Sequence, residues 1–100
     1  MSLFARVAVH VPAVRDVFDY QVPDVFQSRL APGWLVEVPF GSQMVQGIVL
    51  SLEKTSSVIE TRLVSQVLEE APVLTAAQLQ LGQWLAQQYF APLSAYLFAM

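Results

Sequence analysis

The sequence predicts an α+β fold: a small, strongly bent antiparallel β-sheet or partial barrel, followed by two short C-terminal helices. Over roughly the first two thirds of the 100 residues, apolar and polar residues alternate in short runs separated by proline and glycine, which is typical of strands. In the last third the apolar spacing changes to that of a helix. We therefore divide the chain into a β subdomain, residues 1–70, and a helical subdomain, residues 71–100.

Four strands are predicted before residue 53, each with apolar residues at alternate positions. These residues are Val7, Val9 and Val11 in the first strand, Phe18, Tyr20 and Val22 in the second, and Trp34, Val36 and Val38 in the third, while the run from Met44 to Leu52 forms the fourth. Pro32–Gly33 predicts a type II turn, because proline presets φ and glycine accepts a positive φ. Gly47 is expected to mark a β-bulge or a close backbone approach. Residues 58–68 are ambiguous between a helix and a fifth strand, and their β-branched content favours the strand.

Two helices are predicted in the last third of the chain. Thr75, with Gln78 three residues later, forms a capping box that starts the first helix. The face predicted to be buried consists of Ala77, Leu81, Trp84, Leu85 and Gln88, and Tyr89 is also expected in the core. Pro92 ends this helix by Ala91 and suits the first turn of the second helix. The buried stripe of the second helix is predicted to be Leu93, Leu97 and Met100.

Composition narrows the function classes. The chain is 55% hydrophobic and 13% charged, with a mean hydropathy of +0.50, which excludes a disordered chain. The net charge of -3 argues against a broad basic surface for nucleic acid. The absence of cysteine excludes disulfides, thiol nucleophiles and cysteine-type zinc sites. No apolar run approaches the roughly 18 residues of a membrane span, and the N-terminus does not have the pattern of a signal peptide.

The residues that catalysis requires are sparse in this sequence. His10 is the single histidine, and the glycines at positions 33, 41, 47 and 82 form no phosphate-binding loop. No histidine or carboxylate pair has the spacing of a metal site. We therefore predict no catalytic residue, no metal site and no cofactor within these residues.

Several short segments occur in a distinctive order. They are RDVFDY at 15–20 followed by Val22–Pro23, Pro32–Gly33, VEVPFG at 36–41 leading to GIV at 47–49, APVLT at 71–75 and WLAQQYFAPL at 84–93. In this order and spacing the chain resembles the N-terminal 3′-end DNA-binding domains of PriA, the bacterial primosomal replication-restart helicases (primosomal protein N′). The resemblance covers residues 7–97. The almost wholly apolar C-terminal run, residues 95–100, also leads us to expect an N-terminal fragment of a larger helicase.

The resemblance implies a DNA-binding module that holds the 3′-terminal nucleotide, with its 3′-hydroxyl, of a nascent leading strand at a replication fork. By position, the pocket residues of the family correspond to Phe18, Asp19, Tyr20, Gly41 and Arg62, with Arg15 and Phe40 as candidate additional contacts. The whole protein would be an ATP-dependent 3′-to-5′ DNA helicase with a zinc-binding region, located in the bacterial cytoplasm. Its partners would be fork DNA, the downstream helicase domains of the same chain and primosome proteins.

The chemistry of these side chains fits that role. The Asp19 carboxylate accepts a hydrogen bond from a 3′-hydroxyl and repels a 3′-phosphate. Gly41 lets the sugar approach the backbone, Phe18 or Phe40 stacks on the base, and Arg62 pairs with a phosphate. Compared with the family pattern, this chain has one extra residue between Arg15 and Phe18, so the position of Arg15 relative to the pocket residues does not follow from the resemblance.

Simpler interpretations stay open at this point. Phe18 and Tyr20 would also suit a strand core, Gly41 a turn, and Arg62 an exposed surface position. The second hypothesis for the domain is protein–protein interaction through exposed apolar surface. The third is an accessory domain of an enzyme whose active site lies elsewhere. Neither alternative includes binding to a DNA end.

Overall fold

The computed structural model describes residues 3–10, 17–55, 62–68, 73–89 and 93–99. Its strands are β1 (Phe4–Val9), β2 (Val17–Gln21), β3 (Leu35–Phe40), β4 (Gln43–Glu53), β5 (Arg62–Leu63) and β6 (Gln66–Val67), and its α-helices are α1 (Ala76–Tyr89) and α2 (Leu93–Leu97). A single 3-10 turn, Asp24–Phe26, follows β2. The predicted α+β class, with a curled sheet followed by two short helices, is confirmed.

The six strands form one sheet in the order β5-β2-β1-β4-β3-β6. The two edge strands, β5 and β6, are only two residues apart in the chain, so the sheet curls until its edges meet. The amide of Val64 donates to the Gln21 carbonyl at 3.0 Å, and the amide of Ser65 donates to the Glu37 carbonyl at 2.9 Å. Residues 62–67 therefore join the two edges of a half-barrel.

Within the described residues, the predicted strands lie where the alternation placed them, with two differences, while Val11 lies outside the described residues. The β2–β5 pair is parallel, whereas all the other pairs are antiparallel. Within residues 58–68, where one fifth strand was predicted, the described part contains two short strands. They are separate because β5 pairs with β2 and β6 pairs with β3. Of the two alternatives predicted for Gly47, the close approach is the one found, since a Cβ there would collide with the Val7 side chain. The β1–β4 register shifts at another place, between Arg6 and Val7.

The sheet separates two apolar clusters. The inner core fills the curl and includes Ala5, Val7, Val9, Tyr20, Val22, Leu30, Val36, Val38, Val49 and Val64. The outer core lies between the opposite face of the sheet and the helices, and includes Ala8, Ile48, Leu74, Leu79, Leu93 and Leu97. Adjacent strand residues face opposite sides, so a single strand supplies both cores. The side chains of Phe18 and Tyr20 point inward, and those of Val17 and Asp19 point outward.

The start of α1 agrees with the sequence, but its buried face does not. The Thr75 amide donates to Gln78 Oε1 at 2.9 Å, and the Gln78 amide donates to Thr75 Oγ1 at 3.1 Å, which is the predicted capping box. The prediction that Leu81 and Trp84 are buried is wrong: their exposed fractions are 50% and 53%. Ala77 and Gln88 are also exposed, and Leu85 is half-buried.

The face of α1 that is buried is the one that α2 covers. Leu79 and Gly82 are buried, and a Cβ at Gly82 would lie 2.5 Å from Leu97 Cδ2. The short α2 therefore docks where α1 has no side chain. Leu93 and Leu97 are buried as predicted. Residues 90–92, Met100 and the side chain of Tyr89 lie outside the described part of the chain. Within the described residues, no helix is long and apolar enough to span a membrane.

Candidate functional site

The hairpin between β3 and β4 ends in a tight turn at Gly41–Ser42, since Phe40 pairs with Gln43. Gly41 has φ of 61°, a left-handed conformation that L-residues with a Cβ rarely adopt. Apart from its two neighbours in the chain, a Cβ built at Gly41 would meet no atom of the described residues within 4 Å. The turn geometry thus explains the glycine, and the space beside it is open to a ligand.

Two aromatic side chains of β2 contact the end of this hairpin from the inner face of the sheet. The Tyr20 hydroxyl donates a hydrogen bond to the Pro39 carbonyl at 2.8 Å. The rings of Phe18 and Phe40 pack edge to face, with centroids 5.3 Å apart. Tyr20 is buried, which agrees with the simpler interpretation of it as a core residue, whereas Phe18 and Phe40 are half-buried.

Arg62 on β5 reaches the same place. Its Cα is paired with that of Tyr20, and its Nη1 donates to the Gly41 carbonyl at 2.7 Å. The sequence therefore folds so that β2 and β5 both hold the hairpin end. We call the residues Phe18, Tyr20, Phe40, Gly41 and Arg62 the hairpin-tip cluster.

Burial also sets the chemistry of Tyr20. Removal from water raises the pKa of its phenol above the ordinary 10.0, and the nearby Arg62 guanidinium opposes part of that rise. The phenol is therefore neutral at physiological pH. Its hydroxyl can donate to Pro39 throughout that range, so Tyr20 is a positioning residue for the hairpin end.

Asp19 has a different environment. Its side chain points to the outer face of β2, and its Cα is paired with that of Arg6 on β1. Asp19 Oδ1 lies 3.6 Å from Arg6 Nε, and the exposed fractions of the side chains are 14% for Asp19 and 52% for Arg6. The carboxylate does point away from the inner core, as the sequence predicted, but it is largely covered and paired with an arginine.

The predicted site residues thus lie on the two faces of the sheet. Phe18, Tyr20, Gly41 and Arg62 come together with the candidate contact Phe40, and Asp19 lies on the other face with Arg6. In the described residues β5 pairs with β2 at Tyr20 and Gln21. Arg15 lies outside the described residues.

Sequence reasoning missed two participants. No sequence pattern marks Arg6, because its pairing with Asp19 depends on a strand register that alternation alone does not define. Pro39 takes part through its carbonyl, which no side-chain pattern reveals. In the described part of the chain, no three histidine, aspartate or glutamate residues are grouped as a metal site would require.

Comparison with known proteins identifies the class to which this fold and site belong. The family model described as the 3′DNA-binding domain (3′BD) of PriA matches residues 6–100, so the chain belongs to the family of PriA 3′DNA-binding domains. One relative is the "Replication restart protein PriA" of Bacillus subtilis (strain 168). It is 33% identical over 89 residues, which is 85% of this chain and 11% of that protein. The chain therefore spans about a tenth of the length of this relative.

Proposed function

We propose that this chain binds DNA by holding a 3′-terminal nucleotide with a free 3′-hydroxyl beside β2 and the tip of the β3–β4 hairpin. The observation that carries the proposal is the convergence of Phe18, Tyr20 and Arg62 on three consecutive residues, Pro39 to Gly41, beside open space. Membership in a family described as a 3′DNA-binding domain supports the assignment of this place to a DNA end.

The nucleotide lies at the hairpin tip, beside the part of β2 that carries Phe18 and Asp19. Its sugar and base contact the hairpin tip on the inner face of the sheet, and its 3′-hydroxyl reaches Asp19 on the outer face. The open space at Gly41 admits the sugar next to the backbone. The half-buried Phe40 ring, fixed by Phe18, offers a stacking surface worth about 1–3 kcal/mol for one base.

The polar groups select the terminus. Asp19 accepts a hydrogen bond from the 3′-hydroxyl, because an ionised carboxylate has only acceptor oxygens. It repels a 3′-phosphate, because both groups are negatively charged. Arg62 is exposed, and its nitrogens other than Nη1 can donate to a phosphate. A small number of directed contacts suits a chain with a net charge of -3, which has little diffuse attraction for DNA.

The biological setting follows from the name of the relative, a replication restart protein. We propose that the chain is the module of such a protein that recognises the 3′-end of the nascent leading strand at a fork. It would have no catalysis and no cofactor of its own. The ATP-dependent helicase activity, the zinc site and the primosome contacts would belong to other domains of the whole protein, in the bacterial cytoplasm.

Fluorescence anisotropy with one 5′-labelled oligonucleotide, ending in either a 3′-hydroxyl or a 3′-phosphate, tests end recognition. We expect the 3′-hydroxyl form to bind roughly tenfold or more tightly, since a hydrogen bond to a charged group contributes about 1.5–3 kcal/mol. A third oligonucleotide with a 3′-deoxy end separates the loss of the hydrogen bond from repulsion. Equal affinities for all three would remove the proposal.

A protein-interaction function is the second candidate, and one observation favours it. Leu81 and Trp84 are half-exposed on α1, a helix whose sequence has no charged residue. That function predicts no measurable binding to any of the three oligonucleotides. End recognition instead predicts that Trp84→Gln, far from the hairpin tip in the chain, leaves the affinity for the 3′-hydroxyl end unchanged.

A further inference from the structure

Arg6 lies beside Asp19 on the outer face of the sheet, at a position that no sequence motif marks. The two residues are direct partners in the β1–β2 register, and Arg6 Nε lies 3.6 Å from Asp19 Oδ1. The contact uses the inner nitrogen of the guanidinium. The donors on its two terminal nitrogens are chemically distinct from that contact and suit a second acceptor.

The two partners differ in exposure, and the difference decides what an approaching molecule meets. The Asp19 side chain is 14% exposed and the Arg6 side chain 52%. A group that approaches Asp19 from solvent on this face therefore encounters the cation first. The more exposed group of the pair is therefore the cation, in a chain whose net charge is -3.

Stability alone is a weak explanation for this pair. An ion pair with one half-exposed partner contributes about 0–1 kcal/mol to folding, because water screens it. The attraction of the Asp19 carboxylate for Arg6 Nε instead restricts where the guanidinium lies before a ligand arrives. Planar arginine groups match the geometry of phosphate oxygens.

The other candidate phosphate ligand, Arg62, already donates from Nη1 to the Gly41 carbonyl. Arg62 is paired with Tyr20 on one side of β2, and Arg6 with Asp19 on the other side. Strands lie about 4.8 Å apart, so the backbones of these arginines are roughly 10 Å apart across β2. They flank the dipeptide Asp19–Tyr20 from its two sides.

We infer that Arg6 is a phosphate-binding residue of the DNA site, held in position by Asp19, and that it contacts the phosphodiester next to the 3′-terminal nucleotide. The inference rests on the proposed function for the identity of the ligand. It adds a specificity element: Asp19 binds the terminal hydroxyl, and Arg6 binds the backbone phosphate on the 5′ side of the terminal nucleotide.

The salt dependence of binding tests this assignment. Each phosphate neutralised on a single strand contributes about 0.7 to the slope of log K against log salt. We expect Arg6→Gln to reduce the slope for the 3′-hydroxyl oligonucleotide by about 0.7, and Arg6→Lys to restore it. Lys54→Gln is the matched control, because it removes the same charge next to β4, on the opposite side of β1 from β2. It should leave the slope unchanged.

A purely structural role for Arg6 makes different predictions. If Arg6 only holds Asp19 in position, Arg6→Gln does not change the salt-dependence slope of a protein that already carries Asp19→Asn. If Arg6 binds phosphate, Arg6→Gln still reduces that slope by about 0.7 in the same background. An unchanged slope in Arg6→Gln, with far-ultraviolet circular dichroism of a folded protein, overturns the inference. The preference of the unmodified chain for a 3′-hydroxyl is measured separately. If this preference is present but Arg6→Gln leaves the slope unchanged, only the role of Arg6 is refuted. If the unmodified chain has no such preference, end recognition itself is refuted.

Discussion

Replacing Tyr20 by phenylalanine removes one hydroxyl from the hairpin-tip cluster and keeps the ring. The lost hydrogen bond, 2.8 Å to the Pro39 carbonyl, is partly buried, so the carbonyl is left without that donor. The expected cost is about 1–2 kcal/mol of unfolding free energy. For a domain of this size that lowers Tm by about 4–8 °C for each kcal/mol. The hairpin end also loses one of its attachments to β2, so we expect the affinity for a 3′-hydroxyl oligonucleotide to fall several-fold.

Urea denaturation and anisotropy measure the two effects on the same samples. Tyr96→Phe is the matched control: it makes the same chemical change in α2, away from the cluster, and should change stability by less than about 0.5 kcal/mol. If Tyr20→Phe is no more destabilising than Tyr96→Phe, the hydrogen bond does not hold the hairpin end. If stability falls but affinity for the DNA end does not, the cluster supports the fold and not the site.

Further changes separate folding from binding. Alkaline pH should destabilise the unmodified protein more than it destabilises the Tyr20→Phe variant. Above pH 10.0 the unfolded chain releases the phenol proton of Tyr20, whereas the folded chain, in which that pKa is raised, retains it. Urea midpoints measured between pH 9 and pH 11 check this. Asparagine tolerates the left-handed φ of position 41, so Gly41→Asn should cost under about 1 kcal/mol of unfolding free energy but weaken 3′-end binding. An unchanged affinity would exclude a close approach of the sugar to the backbone. Asp19→Asn should abolish the preference for a 3′-hydroxyl over a 3′-phosphate in anisotropy, and a preserved preference would exclude Asp19 as its source. Gly82→Ala should lower the free energy of unfolding by about 1 kcal/mol, as measured by thermal melts. Overpacking against Leu97 costs about 1–3 kcal/mol, and the higher helix propensity of alanine offsets at most about 1 kcal/mol. A more stable variant would show that α2 shifts to make room for the added methyl group.

Alternation in the sequence was sufficient to place the main strands, because each has one face in the inner core. It could not predict that residues 62–67 divide between two sheet edges. That division depends on how far the sheet curls, which is a property of the whole set of strands. The parallel β2–β5 pair follows from the same closure.

The error in α1 has a local cause. Apolar residues lie on several sides of this helix, so periodicity alone does not select the buried face. The selection is made by α2, whose Leu97 packs where Gly82 leaves room. A glycine inside a helix was the available signal, since it costs helix stability unless another element needs the space.

The site was predictable to the extent that it is local in sequence. The resemblance to the family identifies the run Phe18–Asp19–Tyr20 and Gly41 as candidate site residues, and the structure brings the aromatic residues and the turn together. The division of the set between two faces follows from the period of a strand, which separates Asp19 from its neighbours. The partner of Asp19 is Arg6, and only the register of β1 against β2 identifies it.

The location of the bound DNA end is the most direct test of the central claim. We expect amide chemical shifts in a ¹⁵N-labelled sample, titrated with a short oligonucleotide that ends in a 3′-hydroxyl, to change most at Asp19, Gly41 and Arg62. The indole signal of Trp84, exposed on α1, should stay in place. Changes concentrated on α1, with the hairpin tip unaffected, would contradict the assignment of the site.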